Sequence, residues 1–305
     1  MSGLVSLLLA VVLAPLLQGL IKTTKARLQM RLGPPVLQPY ADVWKLLRKG
    51  SVVPETTSWV FGAAPYVVLG STAAAASLVP TLWRGASFGD AILFGGLLAV
   101  GRFAMALAAL DAASNFTHMG ASREMAISAV VEPALVAGLF ALAVPAGTTD
   151  FGALSLARAG DGLLSLGPGS FLALAALLIV AIAETGRVPV DNPDTHLELT
   201  MVHEGMLLEY SGRPLGLMAL AAQVKQIAVL GLIGALFVPW TLGDAGAPLW
   251  LALVGYAAKL AVLGCALAGI ETLNAKLRIL RVPNLLGTAA ALGGLSLVAR
   301  AALGG

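Results

Sequence analysis

The sequence predicts an all-α integral membrane protein with about eight transmembrane helices and large polar loops that carry short amphipathic helices. Hydrophobic residues make up 58% of the chain and charged residues only 11%, and the mean hydropathy is +0.88, as in membrane proteins rather than soluble domains. Long apolar runs recur from end to end, and none alternates in polarity as barrel strands do. We therefore expect residues 1–305 to form a single polytopic membrane domain.

Eight apolar runs approach the ~20 residues that a helix needs to cross the hydrocarbon core. The first is interpreted as a retained helix, because no basic residue precedes it and no small-residue cleavage site follows it. The fifth is the least regular, since Gly167-Pro168-Gly169 interrupts it. The eight predicted spans are Leu4–Ile21, Trp59–Trp83, Gly89–Leu110, Ala126–Pro145, Leu163–Ala183, Pro214–Val238, Leu249–Thr272 and Asn284–Ala301.

Lys and Arg residues are distributed unevenly between the loops on the two sides of these spans. Thirteen of the nineteen lie in loops on one side, and three lie on the other side together with both termini. The positive-inside rule therefore predicts that the large loops are cytoplasmic and that both chain ends are on the outer side. Ten acidic residues share the basic loops, which favours a docking surface of mixed charge over a polybasic lipid-binding or nucleic-acid-binding patch.

The loop after the first span predicts an extension of that helix followed by an amphipathic helix. Gly33-Pro34-Pro35 ends the extension, and Gln38-Pro39 begins the second helix. Its apolar stripe consists of Tyr40, Val43, Trp44 and Leu47. The stripe can either anchor the helix in the membrane interface or pack on a partner subunit. The candidate docking residues are Arg27, Arg31, Gln38, Tyr40, Asp42 and Trp44.

Four charged residues lie inside the predicted spans, each on a different helix. They are Arg102, Glu132, Lys225 and Lys259, and both lysines lie near the centre of a span. An ion at the centre of a bilayer costs at least ~2.5 kcal/mol on insertion scales, so these groups should be paired or should line a wet path. The two interpretations are ion pairs that fix helix packing and groups that transfer protons.

The most polar part of the chain is the segment Glu184–Arg213, which contains six carboxylates and two histidines between two apolar spans. The run Thr195-His196-Leu197-Glu198 fits a capping box and predicts a helix after Pro193. On that helix, Glu198 and Glu209 would lie within roughly 20° of the same face. The segment is either a solvated loop with a charged helix or a functional site, and the density of ionisable groups against membrane spans favours the site.

The sequence argues against a redox or metal centre within this chain. Its one cysteine, Cys265, permits no internal disulfide, iron–sulfur cluster or Cys-based zinc site. No phosphate-binding loop, serine triad or HExxH motif is present. His118, His196 and His203 have no recognised metal-ligand spacing. We therefore expect no cofactor in this chain and place any redox chemistry in partner subunits.

Three stretches resemble a known family, the membrane subunit shared by respiratory complex I (its subunit-one or H-type subunit) and the energy-converting, membrane-bound nickel–iron hydrogenases. They are KARLQMRLGPPVLQPYADVWKLL from Lys25, GASREMAISAVVEP from Gly120, and AETGRVPVDNPDTHLELTMVHEGMLLEYSG from Ala183. Complex I members usually carry Phe-Asp and an acidic Glu-Gly-Glu run in the third stretch. The sequence VDNPDTHLELTMVHEGMLLEYSGR resembles the formate hydrogenlyase branch instead, so no quinone site is assigned.

The resemblance implies a subunit that moves no electrons itself in a prokaryotic cytoplasmic (inner) membrane. It would lie beneath the hydrogenase large and small subunits and an iron–sulfur subunit, and connect them to antiporter-like membrane subunits. The nickel–iron (NiFe) centre and the iron–sulfur clusters would be in those partners. The implied proton path and coupling residues are Glu132, Glu184, Asp191, Glu198, Glu204, Glu209, Lys225 and Lys259, with Arg123, Arg187 and Arg213 holding carboxylates ionised.

Two other functions stay open at this point. One is the quinone-site subunit of a complex I NADH:quinone oxidoreductase, and the other is a stand-alone ion transporter. The transporter interpretation is weakened by broad docking loops and by the lack of an evident internal repeat, since many transporters are built from repeats.

Overall fold

The computed structural model describes residues 2–82, 89–157, 167–192, 201–238 and 248–303. These residues form ten α-helices and two short 3-10 helices, Glu204–Leu207 and Ile279–Arg281, with no β-strand among them. The fold is therefore all-α, as the sequence predicts. The α-helices are α1 Ser2–Leu28, α2 Gln38–Arg48, α3 Trp59–Leu78, α4 Ala91–Asp111, α5 Asn115–Ala146, α6 Phe151–Ala157, α7 Pro168–Glu184, α8 Gly212–Phe237, α9 Leu249–Leu273 and α10 Val282–Leu303.

Seven helices in the described part of the chain are long and apolar enough to cross a membrane, namely α1, α3, α4, α5, α8, α9 and α10. The eighth predicted span corresponds to α7, which is apolar but has only 17 residues. It begins at Pro168, because Gly167 is extended and Pro168 occupies the first helical turn. The start of that predicted span, residues 163–166, lies outside the described residues.

Helix α8 is at the centre of the bundle. Every residue from Val224 to Phe237 on this helix is buried. It packs against α1, α3, α7 and α9, while α10 packs against α5 and α7 on the opposite side. Because Lys225 lies on α8 and is itself buried, the fold places a positive charge at the centre of the membrane domain's packing.

The segment between α1 and α2 folds back along α1. The Thr23 hydroxyl donates to the Pro34 carbonyl at 2.9 Å, and the Tyr40 hydroxyl donates to the Val12 carbonyl. Gly19 permits this close approach, since a Cβ at that position would lie 1.8 Å from the Val36 carbonyl oxygen. Helix α2 is therefore held by hydrogen bonds and packing within its own chain.

The apolar stripe of α2 is divided between two environments. Val43 is buried, and α2 packs against α8 of the same chain, where Leu46 and Leu47 cover Gly216. Trp44 is 58% exposed and lies beneath the Arg48 guanidinium, 4.5 Å from the ring centroid. The buried part of the stripe thus stabilises this chain, and only the part around Trp44 is available to a partner or to lipid.

The predicted helix after Pro193 is wrong where the structure describes it. Residues 201–210 contain the 3-10 helix Glu204–Leu207 and no α-helix, so Glu209 is not on a helical face. Tertiary packing explains the difference, because Gly205 lies against the backbone of Gly120 on α5 and the Tyr210 ring stacks on Phe61 with centroids 4.0 Å apart. The capping-box residues, with His196 and Glu198, lie outside the described residues.

Candidate charge-relay site

Two buried clusters of charged residues and a polar cavity lie at one end of the bundle. The turn that follows α7 positions them. Glu184 is the last residue of α7, and Gly186 has φ +59, which lets the chain reverse direction. The next residue, Arg187, is buried, and the Pro189 carbonyl accepts a hydrogen bond of 2.9 Å from the Leu277 amide. The turn therefore points a carboxylate and a guanidinium into the helix bundle.

The Arg102 triad consists of Arg102, Glu132 and Glu184. The Arg102 guanidinium on α4 donates through Nη1 to Glu184 Oε1 and through Nη2 to Glu132 Oε1, each at 2.8 Å. The Glu184 side chain is fully buried and the Glu132 side chain is 46% exposed. One arginine thus joins α4, α5 and α7 and bridges a buried carboxylate to one at the bundle surface. A buried charge of this kind needs such partners, because desolvation is costly.

The Arg187 cluster is a second set of buried polar groups. Arg187 Nη1 lies 3.1 Å from Glu271 Oε1 on α9, and Lys25 Nζ on α1 lies 3.1 Å from Glu271 Oε2. Arg187 Nη2 also donates to Gln226 Oε1 at 2.9 Å and to Gln18. The cluster connects α1, α8, α9 and the turn after α7.

Glu271 is a site residue that was not among the predicted ones. It is buried with 3% of its surface exposed and bridges two cations. The signal was present in the sequence, since Glu271 lies inside the seventh predicted span, Leu249–Thr272. A carboxylate at that position belongs with the four intramembrane charges.

Asp191 anchors the far end of the turn. Its Oδ1 lies 2.8 Å from Lys276 Nζ, and its Oδ2 accepts a hydrogen bond of 3.2 Å from the His203 amide. Asp191 itself is buried. These contacts hold the start and the return of the polar segment together, because Asp191 and His203 lie on either side of residues 193–200.

A polar cavity of about 320 Å³ lies between the Arg187 cluster and the polar segment. Two predicted path residues, Glu204 and Lys225, are on its wall. A smaller cavity beside it brings Lys225, His203 and Arg102 together. The polar side chains that line the larger cavity are Gln18, Lys22, Lys25, Thr185, Arg187, Asp191, His203, Glu204, Gln223, Lys225 and Gln226.

Glu132 forms the outer end of this arrangement. It lines a membrane-facing groove of about 420 Å³ between α4 and α5, and the groove's other lining residues are all apolar or glycine. The structure therefore brings predicted charges into one row, from the polar cavity through Lys225 and Arg102 to Glu184 and Glu132.

Other predicted site residues lie elsewhere. Within the described residues, Arg123 donates to the Met201 carbonyl at 3.0 Å and to Met119 Sδ, and Arg213 donates to the Leu47 carbonyl at 3.1 Å. Neither is brought to a carboxylate there, whereas Arg187 is. Lys259 is buried against Gly234 of α8, and Glu209 is partly buried. Neither lines the two cavities, and Glu198 lies outside the described residues.

The predicted docking residues form an open surface around α2. Arg27, Arg31, Gln38 and Asp42 are exposed, and Gln38 Nε2 donates to Asp42 Oδ1 at 3.1 Å. Tyr40 is partly buried by its contact with α1. Their role in docking stays a prediction, as does the expectation that this chain binds no cofactor. The described residues contain no group of three or more His, Cys, Asp or Glu side chains that could hold a metal ion.

His203 has an unusual environment for a histidine. Burial and the Lys225 cation lower the pKa of His203 from 6.5 to about 4, against the opposing effect of Glu204, Asp191 and Glu184. The imidazole is therefore neutral at pH 7, and its amide rather than its ring is tied to Asp191.

We expect the stability of the protein to fall as the pH drops from about 6.5 to about 4. In that window the unfolded chain protonates His203 while the folded chain resists it, so protons favour unfolding. The measurement is the melting temperature of the purified protein against pH. His203→Gln should flatten the profile in this window, and an unchanged profile would contradict the assignment.

The bundle of apolar helices with its internal ion pairs defines a multi-pass membrane protein. The chain belongs to the NADH dehydrogenase family, whose sequence model matches residues 2–299, and its relatives place it with the H-type membrane subunits of complex I. It is 38% identical over 299 residues to formate hydrogenlyase subunit 4 of Escherichia coli K12, with 93% of this chain and 94% of that protein covered.

Further relatives support the same family. Hydrogenase-4 component C of Escherichia coli K12 is 35% identical over 78% of this chain and 75% of that protein. An H-type NADH-quinone oxidoreductase membrane protein of Thermomicrobium roseum is 30% identical over 82% of each chain. The greater identity to the first two agrees with the hydrogenase branch that the third stretch suggested. The chain is thus a membrane subunit of a complex I-like assembly.

A solved structure shares the fold. A chain of the membrane-bound sulfane sulfur reductase, an archaeal respiratory membrane complex, superimposes with a TM-score of 0.85 over 97% of both chains. The sequence identity is 20%, so this likeness concerns the fold alone.

Proposed function

We propose that this chain is the membrane anchor and coupling subunit of a multisubunit energy-converting, formate hydrogenlyase-like hydrogenase. It docks the hydrogenase large and small subunits and an iron–sulfur subunit, and it contacts antiporter-like membrane subunits. The nickel–iron centre and the iron–sulfur clusters belong to those partners. The identity to formate hydrogenlyase subunit 4 and to a hydrogenase-4 component supports this branch.

One observation carries the proposal: charged groups extend from a polar cavity to the membrane-facing surface. Glu204 and Lys225 line the cavity, Lys225 and Arg102 share the adjoining one, and Arg102 binds Glu184 and Glu132. A helix bundle that needed only stability would gain more from apolar side chains at these positions. The arrangement suits a path for charge or protons.

The physics of coupling follows from the burial of these groups. Two unit charges 10 Å apart interact by about 1.7 kcal/mol at an effective dielectric constant of 20. This changes a protonation equilibrium by more than tenfold. A redox event in a partner bound over the cavity can therefore alter the charge state of Glu184 and Glu132 without moving electrons through this chain.

The proposed orientation places the polar cavity and the docking face in the cytoplasm and both termini on the outer side of a prokaryotic cytoplasmic membrane. The distribution of Lys and Arg supports it. Docking would use the exposed face of α2, where Trp44 and Asp42 remain uncovered.

Glu132→Gln is expected to impair coupled turnover on the order of tenfold or more while the complex assembles normally. The amide keeps the shape of the side chain and a hydrogen bond to Arg102 but cannot titrate, and positioned proton-transfer groups contribute about 100-fold or more. The measurement compares donor-driven pH changes in inverted vesicles with hydrogen evolution from an artificial reductant. Glu55→Gln, an exposed carboxylate, is the matched control, and preserved pumping in Glu132→Gln would refute the path.

Trp44→Ala is expected to weaken retention of the soluble subunits, because aromatic residues at interfaces contribute about 2 kcal/mol or more when they are central. The measurement is the amount of hydrogenase large subunit that co-purifies with the membrane fraction. Trp59→Ala removes another exposed tryptophan, at the start of α3, and should have no effect. Equal co-purification in both variants would leave α2 as an interfacial anchor only.

Co-isolation distinguishes the proposed assembly from its alternatives. A nickel-containing, iron–sulfur complex is the expected result. A complex with flavin and quinone would assign the chain to complex I, and ion transport by the isolated chain would make it a transporter.

A further inference from the structure

An apolar cleft opens to the membrane between α1 and α9, on a part of the surface that the charge path does not use. Its volume is about 460 Å³. Every lining residue is Leu, Val or Ala: Leu13, Leu16, Leu17, Leu20, Val36, Val254, Ala257, Ala258, Leu260 and Ala261. The small alanines of α9 create the space, and Ala257 and Ala258 are exposed.

Polar groups follow the cleft toward the basic end of α1. Leu13, Leu20 and Arg27 are seven residues apart and so lie on nearly one helical face. Arg27 is exposed, stands about 10 Å beyond Leu20 at 1.5 Å per residue, and has no ion pair with the described residues. Between them, the Thr24 hydroxyl lies 3.8 Å from the Cys265 thiol.

We propose that this cleft, hereafter the α1–α9 cleft, binds one anionic phospholipid of the surrounding bilayer. The acyl chain fills the Leu and Ala walls, the glycerol region meets Thr24 and Cys265, and the phosphate-bearing headgroup pairs with Arg27. The order of apolar wall, hydroxyl and thiol, then cation is that of a phospholipid molecule. This inference is independent of the hydrogenase assignment.

Selectivity must come from the headgroup. An acyl chain in the bilayer is already out of water, so its transfer to the cleft gains little from the hydrophobic effect. One arginine near a membrane surface favours an anionic lipid by about 1 kcal/mol, which is about fivefold.

The first test measures the lipids that stay with the complex after purification in mild detergent. The wild-type complex should retain phosphatidylglycerol over phosphatidylethanolamine, and Arg27→Gln should lower that ratio about fivefold. Ala258→Phe, which fills the cleft, should remove the retained lipid. Lys45→Gln and Ala266→Phe alter an exposed cation and an exposed alanine outside the cleft and should leave the ratio unchanged. An unchanged ratio in Arg27→Gln overturns the proposal.

The second test uses the wild-type protein. Cys265 is the chain's only cysteine and is exposed, so a benzophenone maleimide attached there reports what occupies the adjoining cleft. After illumination, mass spectrometry of peptides that contain Cys265 should find a phospholipid adduct. A cross-link to a peptide of another subunit would show that a protein helix covers the cleft, and would refute the lipid.

Discussion

Arg102→Gln is expected to reduce the amount of assembled protein sharply. The change leaves the fully buried Glu184 carboxylate, and Glu132 beside it, without their shared cation. Removal of one partner from a buried ion pair costs about 3–5 kcal/mol, which is a large part of the about 5–15 kcal/mol that stabilises a typical domain. The measurements are the level of the protein in membranes and its melting temperature in detergent.

A second substitution separates charge from packing. Arg102→Gln combined with Glu184→Gln removes both buried charges and should recover most of the lost stability, because two amides can hydrogen-bond each other without an unpaired ion. Coupled turnover should stay low, since the path has lost its central cation. Wild-type stability in the single variant would show that the triad contributes nothing to the fold.

Glu271→Gln is expected to destabilise the protein by a comparable amount, about 3–5 kcal/mol. The carboxylate lies between Arg187 and Lys25 at 3.1 Å from each, so its removal leaves two buried cations facing one neutral amide. The turn at residues 185–192 and the contact between α1 and α9 should open first. Hydrogen exchange of that turn and the melting temperature are the measurements.

The control for Glu271 relieves the repulsion. Adding Lys25→Gln to Glu271→Gln leaves Arg187 among neutral amides, including Gln18 and Gln226, and should restore part of the protection. Glu209→Gln, in the same polar segment but only partly buried, should change neither measurement. If the double variant is no better than Glu271→Gln alone, charge repulsion is not the cause.

Local sequence patterns predicted some elements correctly and failed at others for an identifiable reason. The Gln38-Pro39 start of α2 was predicted, because helix initiation and amphipathic spacing are local properties. The partner of α2 was not, since its docking on α1 depends on the missing Cβ of Gly19. The predicted helix around Glu209 fails because close packing of Gly205 on Gly120 overrides a local capping signal.

The candidate site was predicted as a set of residues but not as an arrangement. Arg102, Glu132 and Lys225 are conspicuous in sequence because charges in membrane spans are costly. Their partners are not, since Arg102 and Glu184 are 82 residues apart and Arg187 and Glu271 are 84 apart. Arg123 and Arg213 were predicted to pair with carboxylates, but the structure brings their guanidinium groups to backbone carbonyls.

The sequence by itself determined the all-helical membrane class, the eight apolar segments and the residues too costly to bury without partners. These follow from hydrophobicity summed over about 20 neighbouring residues, which needs no knowledge of the fold. Only the tertiary structure decided which charges meet, that Glu271 joins the site, and where the cavity lies. Ion pairs act over a few ångströms, so their identity depends on how distant segments pack, and no local pattern specifies that.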